Sequence, residues 1–235
     1  TKHDNFGPAK QPDGMIKYAI IAFGCLEGNS NSSFQIEVES QRYTLMAAVL
    51  SIVVSMDLHA FVRVTKKKNW QTISPSEFRW EKEALDFVKN GLPTTSLYYA
   101  WSNFEFIAEN GTISEVDLLV ITPHGFYLVE IKSRPGTISG NNQVWTWKNG
   151  ASNFIIDNPL LLANRKAKKL IGLLKRQVGS SVRLPYLEPL IFCSHSDTKI
   201  ELEESAAFRV CTRDEFAADG SIKEKGILSA LMHRD

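Results

Sequence analysis

Val116-Asp117-Leu118-Leu119-Val120-Ile121-Thr122-Pro123-His124-Gly125-Phe126-Tyr127-Leu128-Val129-Glu130-Ile131-Lys132 is the stretch on which the fold turns. Two apolar runs of strand length flank Pro123-His124-Gly125, a tight-turn sequence, so the segment predicts a β-hairpin. In such a hairpin the numbers of facing residues sum to about 247–248, which sets Asp117 opposite Glu130 or Ile131. Glu130 and Lys132 are two apart and leave the same strand face. Two carboxylates and an ammonium then meet at one end of an otherwise apolar hairpin.

Those residue types suit phosphodiester hydrolysis. That reaction needs a hard cation to polarise the phosphate and lower the pKa of an attacking water. Mg²⁺ (or Mn²⁺) takes oxygen ligands, often one or two carboxylates, and keeps several waters. Asp117, Glu130 and the Ile131 carbonyl are the candidate ligands. Lys132 is placed to hold or deprotonate the water, or to offset charge on the phosphate. A solvated salt bridge would show the same spacing, so spacing alone does not separate the two.

Working towards the N-terminus, Ser74-Pro75-Ser76-Glu77 carries a capping residue, a first-turn proline and a capping-box glutamate. It predicts a helix running to about Asn90, with Gly91 as its stop and Pro93 beyond. Phe78, Ala84, Leu85 and Val88 form its apolar stripe. Glu81 falls within that stripe and Glu83 points away. A carboxylate on a buried stripe must be paired or serve a metal. An internal salt bridge and assistance through a metal-bound water both remain open for Glu81. Between helix and hairpin, Tyr98–Ala108 is aromatic and β-prone, and Glu109-Asn110-Gly111 is a turn.

Towards the C-terminus, Val144–Lys148 and Phe154–Ile156 predict a second hairpin about Asn149-Gly150. Trp145 and Trp147 share a strand face, fit either for sheet packing or for stacking on bases. A long helix is expected from Asn158-Pro159 to about Val178, with Leu160, Ala163, Ala167, Ile171, Leu174 and Val178 at helical spacing. Pro189–Cys193 is the last core strand, Phe208–Cys211 a further one, and Ile222–Met232 a closing helix. No acidic residue lies between Asp157 and Glu188, whereas Arg165, Lys166, Lys168, Lys169, Lys175, Arg176 and Arg183 do. Arg165, Lys168, Lys169 and Arg176 sit off the apolar stripe. Such a face is either simply solvated or a seat for a phosphate backbone, with nothing to read bases.

The chain has 235 residues, 43% of them apolar and 23% charged, as expected of a soluble globular protein with a real core. Its net charge of +1 excludes a general polycation, so any DNA affinity must be local. Three cysteines in no metal or disulfide spacing point to a reducing compartment, the cytoplasm. Two apolar runs, Ala19–Gly24 and Leu45–Met56, are short for a membrane span and suit a buried strand or helix; anchors there would instead make an envelope-associated protein. Lys66-Lys67-Lys68 is expected in a solvated loop. Residues 1–70 are expected to be an N-terminal extension, and 71–235 the folded domain.

Ser114-Glu115-Val116-Asp117-Leu118-Leu119-Val120, then Gly125–Ser133, Gly136 and Trp145-Thr146-Trp147, resemble the NERD (nuclease-related) domain of the PD-(D/E)xK nuclease superfamily. The resemblance runs from about Phe78 to Cys193. It implies an α/β fold with a restriction-endonuclease-like core, a central mixed β-sheet flanked by helices. It also implies a site of Glu81, Asp117, Glu130 and Lys132. Arg79–Ala84, Trp101–Phe106 and Asn158–Ala167 are further similar to the N-terminal module of large Ser/Thr kinases in BREX/Pgl-type phage defence. The implied activity is a Mg²⁺-dependent DNA endonuclease, with other defence proteins as partners and no membrane role. Two departures stand out: Leu162 occupies the place of a glutamine common in the family, and no kinase signature follows. A nucleic-acid-binding or regulatory module without turnover is the alternative.

Overall fold

The computed structural model of the protein describes residues 69–95, 97–178 and 183–233. The apolar runs at 19–24 and 45–56, the Lys66–Lys68 cluster and nearly all of the expected 1–70 extension lie outside the described residues. In chain order the elements are β1 (Trp70–Thr72), α1 (Arg79–Gly91), β2 (Tyr99–Ile107), β3 (Ile113–Thr122), β4 (Gly125–Lys132), β5 (Gly136–Gly140), β6 (Val144–Asn149) and β7 (Ser152–Asp157). There follow α2 (Pro159–Val178), β8 (Leu187–Cys193), β9 (Thr198–Leu202), α3 (Glu204–Ala207), β10 (Val210–Cys211), β11 (Glu215–Phe216), β12 (Ile222–Glu224) and α4 (Ile227–Met232).

The main sheet has the order β1-β2-β3-β4-β8-β10 and is mixed: β2, β3 and β4 run antiparallel in sequence, while β1, β8 and β10 join in parallel. Both faces are covered. On one, Ala163, Ala167, Leu170 and Leu174 of α2 pack on Leu119, Ile121, Leu128 and Ile191. On the other, Ala84, Leu85 and Val88 of α1 and Ile227, Leu228 and Leu231 of α4 pack on Leu118, Val120, Val129 and Phe192. Burial on both sides explains why β3 and β4 are near-continuous apolar runs rather than alternating ones. A second sheet, β7-β6-β5-β9, sets Ile138, Trp145 and Trp147 into the α2-side core. The indoles of Trp145 and Trp147 are buried, so they pack and are not base-stacking platforms.

The β3–β4 hairpin has the register the arithmetic requires: Leu118 faces Val129 and Thr122 faces Gly125. Its partner ladder is less regular. Ser102 faces Leu118 and Phe104 faces Val116, but Asn103 and Asp117 between them do not pair. Asn103 takes a left-handed backbone, φ 54. Both strands change phase there: Trp101 and Phe104 point to the α2 side, as do Val116 and Leu119. Asparagine is among the few residues that adopt this conformation readily.

Three expectations are corrected. The first helix starts at Arg79, not at Ser74, and has no side-chain cap. Backbone Ile73 N–H and Ser74 N–H instead donate to the Ser102 and Asn103 carbonyls, at 2.9 and 3.0 Å, which keeps the chain extended beside β2. Phe78 is consequently exposed and stacks on Trp80, outside the apolar stripe. Gly91 is the last helical residue, and a Cβ there would collide with Leu228, so it serves close packing of α1 on α4. The expected closing helix is helical only from Ile227, because Ile222–Glu224 pairs with β11.

Candidate active site

The ladder between β3 and β4 ends at the Leu118–Val129 pair, one step short of Asp117 and Glu130. Asp117 fills the gap itself: its Oδ2 accepts a hydrogen bond from the Ile131 backbone N–H at 2.7 Å. A carboxylate thus replaces a backbone carbonyl at the point where β3 parts from β4, while β3 stays paired with β2. Glu130 is buried beside it, and both of its oxygens hold ammonium groups. Lys132 Nζ donates to Oε1 at 2.9 Å, and Lys166 Nζ donates to Oε2 at 2.7 Å. Lys132 remains a third exposed, whereas Lys166 is nearly enclosed by α2 and the sheet.

The two carboxylates respond differently to this setting. Burial and the nearby Glu130 charge push the Asp117 carboxyl up to about 7, against the Ile131 hydrogen bond and the two lysines. Burial acts on Glu130 in the same upward sense, but Lys132 and Lys166 outweigh it and hold that carboxyl below the ordinary glutamate value. Glu81 reaches the same region from α1. Burial, then the charges of Glu115 and Glu77, raise its carboxyl. With the Asn103 amide oriented to satisfy its neighbours, its nitrogen donates to Glu81 Oε1 and to the Asp117 carbonyl, both at 3.1 Å. Its oxygen then accepts from the Ser76 hydroxyl at 2.9 Å. Asn103 therefore ties the approach to α1, and Glu81 on it, to the strand carrying Asp117. Cys193, opposite Lys132 on β8, is no nucleophile: burial pushes its thiol up to about 12.

The predicted set is thus brought to one end of the sheet, and two further residues join it. Lys166 was visible only as one positive charge among seven. Its signal was spacing: it lies three residues after buried Ala163 and four before buried Leu170, inside the apolar arc once Leu170 is counted. Asn103 had no signal beyond a polar residue within a β-prone run. The basic face of α2 is partly spent on the fold. Lys169 Nζ donates to Thr112 Oγ1 at 2.8 Å, and Arg176 pairs with Glu109, so the β2–β3 turn supplies a counter-charge that the local sequence lacks. Arg165 and Lys168 are exposed.

All candidate ligands are oxygens, as a hard divalent ion requires. Asp117 and Glu130 form a like-charge pair that such an ion would relieve. Among the described residues no three Asp, Glu, His or Cys side chains form a ready cage; an ion held by Asp117 and Glu130 alone would have to keep most of its water.

The pattern of the nuclease-related domain, NERD, matches residues 76–194, which spans Glu81, Asp117, Glu130, Lys132 and Lys166. The chain belongs to the NERD family. Its sequence is 41% identical over 110 residues to a probable kinase, PglW, of Streptomyces coelicolor (strain ATCC BAA-471 / A3(2) / M145). That match takes in 46% of this chain and 7% of the relative, so the chain spans a small part of that protein's length. No solved structure matches. The NERD fold here is mixed α/β, with a central mixed sheet flanked by helices. No helix among the described residues is long and apolar enough to cross a membrane.

Proposed function

We propose that this NERD domain is a Mg²⁺- or Mn²⁺-dependent endonuclease acting on DNA phosphodiester bonds. The observation that carries the reading is the meeting of Asp117 and Glu130 where the β3–β4 ladder ends, with Lys132 on a Glu130 oxygen. Asp117, Glu130 and the Ile131 carbonyl are the residues to hold the ion, which would supply Lewis-acid polarisation of the phosphate and a more acidic water. Lys132, the more exposed of the two ammonium groups, is placed to meet a phosphate oxygen and offset its charge. Glu81 orients water at the margin, and Asn103 fixes Glu81. Arg165 and Lys168, exposed on α2, are the residues of the basic face to meet the DNA backbone. The similarity to a Pgl-type kinase supports a setting in bacterial phage defence, alongside other defence proteins, and the three unpatterned cysteines support the cytoplasm.

A second reading, a binding or regulatory module without turnover, is favoured by one observation. Both Glu130 oxygens are already neutralised by lysines, so the site is satisfied without an ion. Nicking of supercoiled plasmid by the purified chain separates the two. The nuclease reading expects nicking with Mg²⁺ or Mn²⁺, none in EDTA, and none by Lys132→Ala. Intact plasmid with every divalent ion, alongside salt-sensitive DNA binding that Lys132→Ala leaves unchanged, would establish the binding module instead.

A further inference from the structure

On α2, Lys166 faces Glu130 from one flank of the buried stripe. At about 100° per residue, Asn164, Lys168, Ile171 and Lys175 lie on the other flank. There the helix and the segment leading into β8 form an open groove of about 270 Å³, lined by the buried Ala167 and Leu187 and by the exposed Tyr186. Lys168 and Lys175 line it, both exposed, and neither forms an ion pair among the described residues. Among the described residues no acidic side chain lines the groove.

Beyond Tyr186 the surface continues as a cluster of rings and charge. Tyr186 is 59% and Phe208 63% exposed, unusual for aromatic rings of this size. The Arg209 guanidinium lies over both, 5.5 Å from one ring centroid and 4.9 Å from the other. Glu188 holds it there through a 3.0 Å ion pair and is the acidic group of the patch. Arg209 has a left-handed backbone, φ 73, which costs energy for a residue of this kind. Exposed rings next to unpaired cations are what a flexible polyanion with planar bases requires: phosphates meet the lysines and bases stack on the rings. A small metabolite would need a more enclosed pocket. An acidic peptide would leave the rings unused, and duplex DNA cannot present base faces to them.

We propose that the α2–β8 groove, with Lys168, Lys175, Tyr186 and Phe208, is a binding track for single-stranded nucleic acid, distinct from the carboxylate centre. It rests on the reading of the chain as a protein that acts on nucleic acid. The register of β4 with β8 places Leu187 four residues before Ile191, the partner of Glu130. At about 3.3 Å per residue the track therefore begins roughly 13 Å from the centre.

The test is fluorescence anisotropy of a labelled oligothymidylate with the full chain, in EDTA, across a salt series. The wild-type protein binds single strand more tightly than duplex. In Lys168→Ala/Lys175→Ala the slope of log affinity against log salt falls by about 1.4, the loss of two single-strand phosphate contacts. Tyr186→Ala weakens binding about fivefold or more without changing that slope, and Tyr186→Phe restores it. Lys82→Ala, on exposed α1, alters neither. An unchanged slope in the double variant, unchanged affinity in Tyr186→Ala, a preference for duplex, or no wild-type binding would each overturn the track. With metal absent the outcome is independent of turnover. A chain that binds by the groove yet never nicks loses the nuclease reading alone, and one that nicks with groove variants unaffected loses the track, and Lys168 as a backbone contact with it, while the carboxylate centre stands.

Discussion

Asp117 and Glu130 stand side by side, yet their protons are held with opposite bias. Between the ordinary aspartate value of 3.8 and about 7, the unfolded chain has released the Asp117 proton and the folded chain keeps it. Stability contributed by this residue therefore falls as pH rises through that window. Glu130 behaves in the opposite sense: its folded carboxyl is held below 4.5, so its contribution is present above that value and lost as acid titrates the folded form. Asp117→Asn should remove the falling limb and still accept from Ile131 N–H. Urea titrations should find the variant gaining on wild type by on the order of 3 kcal/mol between pH 4 and pH 8. A constant difference across that range would mean Asp117 ionises as in water. The lysines also differ. Lys166→Met should cost about 2–3 kcal/mol, near the lower end for breaking a buried pair because Lys132 still neutralises Glu130. Lys132→Met should cost about 1 kcal/mol, since Lys132 is a third exposed. Equal losses would contradict the geometry. Asp117, Glu130 and Lys132 were legible in the sequence because a hairpin converts spacing into contact. Lys166 was not, since its partner lies 36 residues away on another element.

Elements set the same divide between the legible and the hidden. The β3–β4 register followed from the turn and the apolar runs, and α2 from its periodicity. The start of α1 did not follow, because Ser74 and Ser76 carry a sound capping signal that β2 overrides by pairing with the backbone at 73–74. β5 and β9 were also hidden: Gly136–Gly140 has one buried apolar residue, and its partner strand is about sixty residues on. The least legible feature is the shared phase change of β2 and β3 at Asn103 and Asp117. It turns a regular ladder into a junction holding both the Asp117 strand and α1. Asn103→Ala removes the amide and leaves a residue poorly suited to φ 54. It should cost about 2 kcal/mol, a fall in melting temperature of roughly 4–8 °C. It should also loosen Glu81, read as faster amide exchange at the start of α1. Asn103→Gly restores the backbone alone, so it should recover part of the stability and none of the protection. Full recovery of both would confine Asn103 to a backbone role.

At the scale of the molecule, the candidate centre sits where three supports meet: the β3–β4 hairpin, α2 through Lys166, and α1 through Asn103 and Glu81. Unfolding separates all three, so an ion bound between Asp117 and Glu130 binds the folded state alone and must raise global stability. At about one hundred times its dissociation constant, that linkage is worth about 2.7 kcal/mol, a rise of roughly 5–11 °C for a domain of this size. The ion has to displace the Asp117 proton, which is held up to about 7, and draw Glu130 from its lysines. The rise with Mg²⁺ or Mn²⁺ should consequently be larger at pH 8 than at pH 6. Glu130→Gln should abolish it, and potassium at matched ionic strength should not reproduce it. Thermal melts read this directly and need no cleavage, so they test the ion site independently of turnover. A shift of the same size in Glu130→Gln would place the ion elsewhere on the chain. No shift at saturating Mg²⁺ and Mn²⁺ would leave Lys132 and Lys166 as the permanent counter-charges of Glu130, and the domain as a binding module.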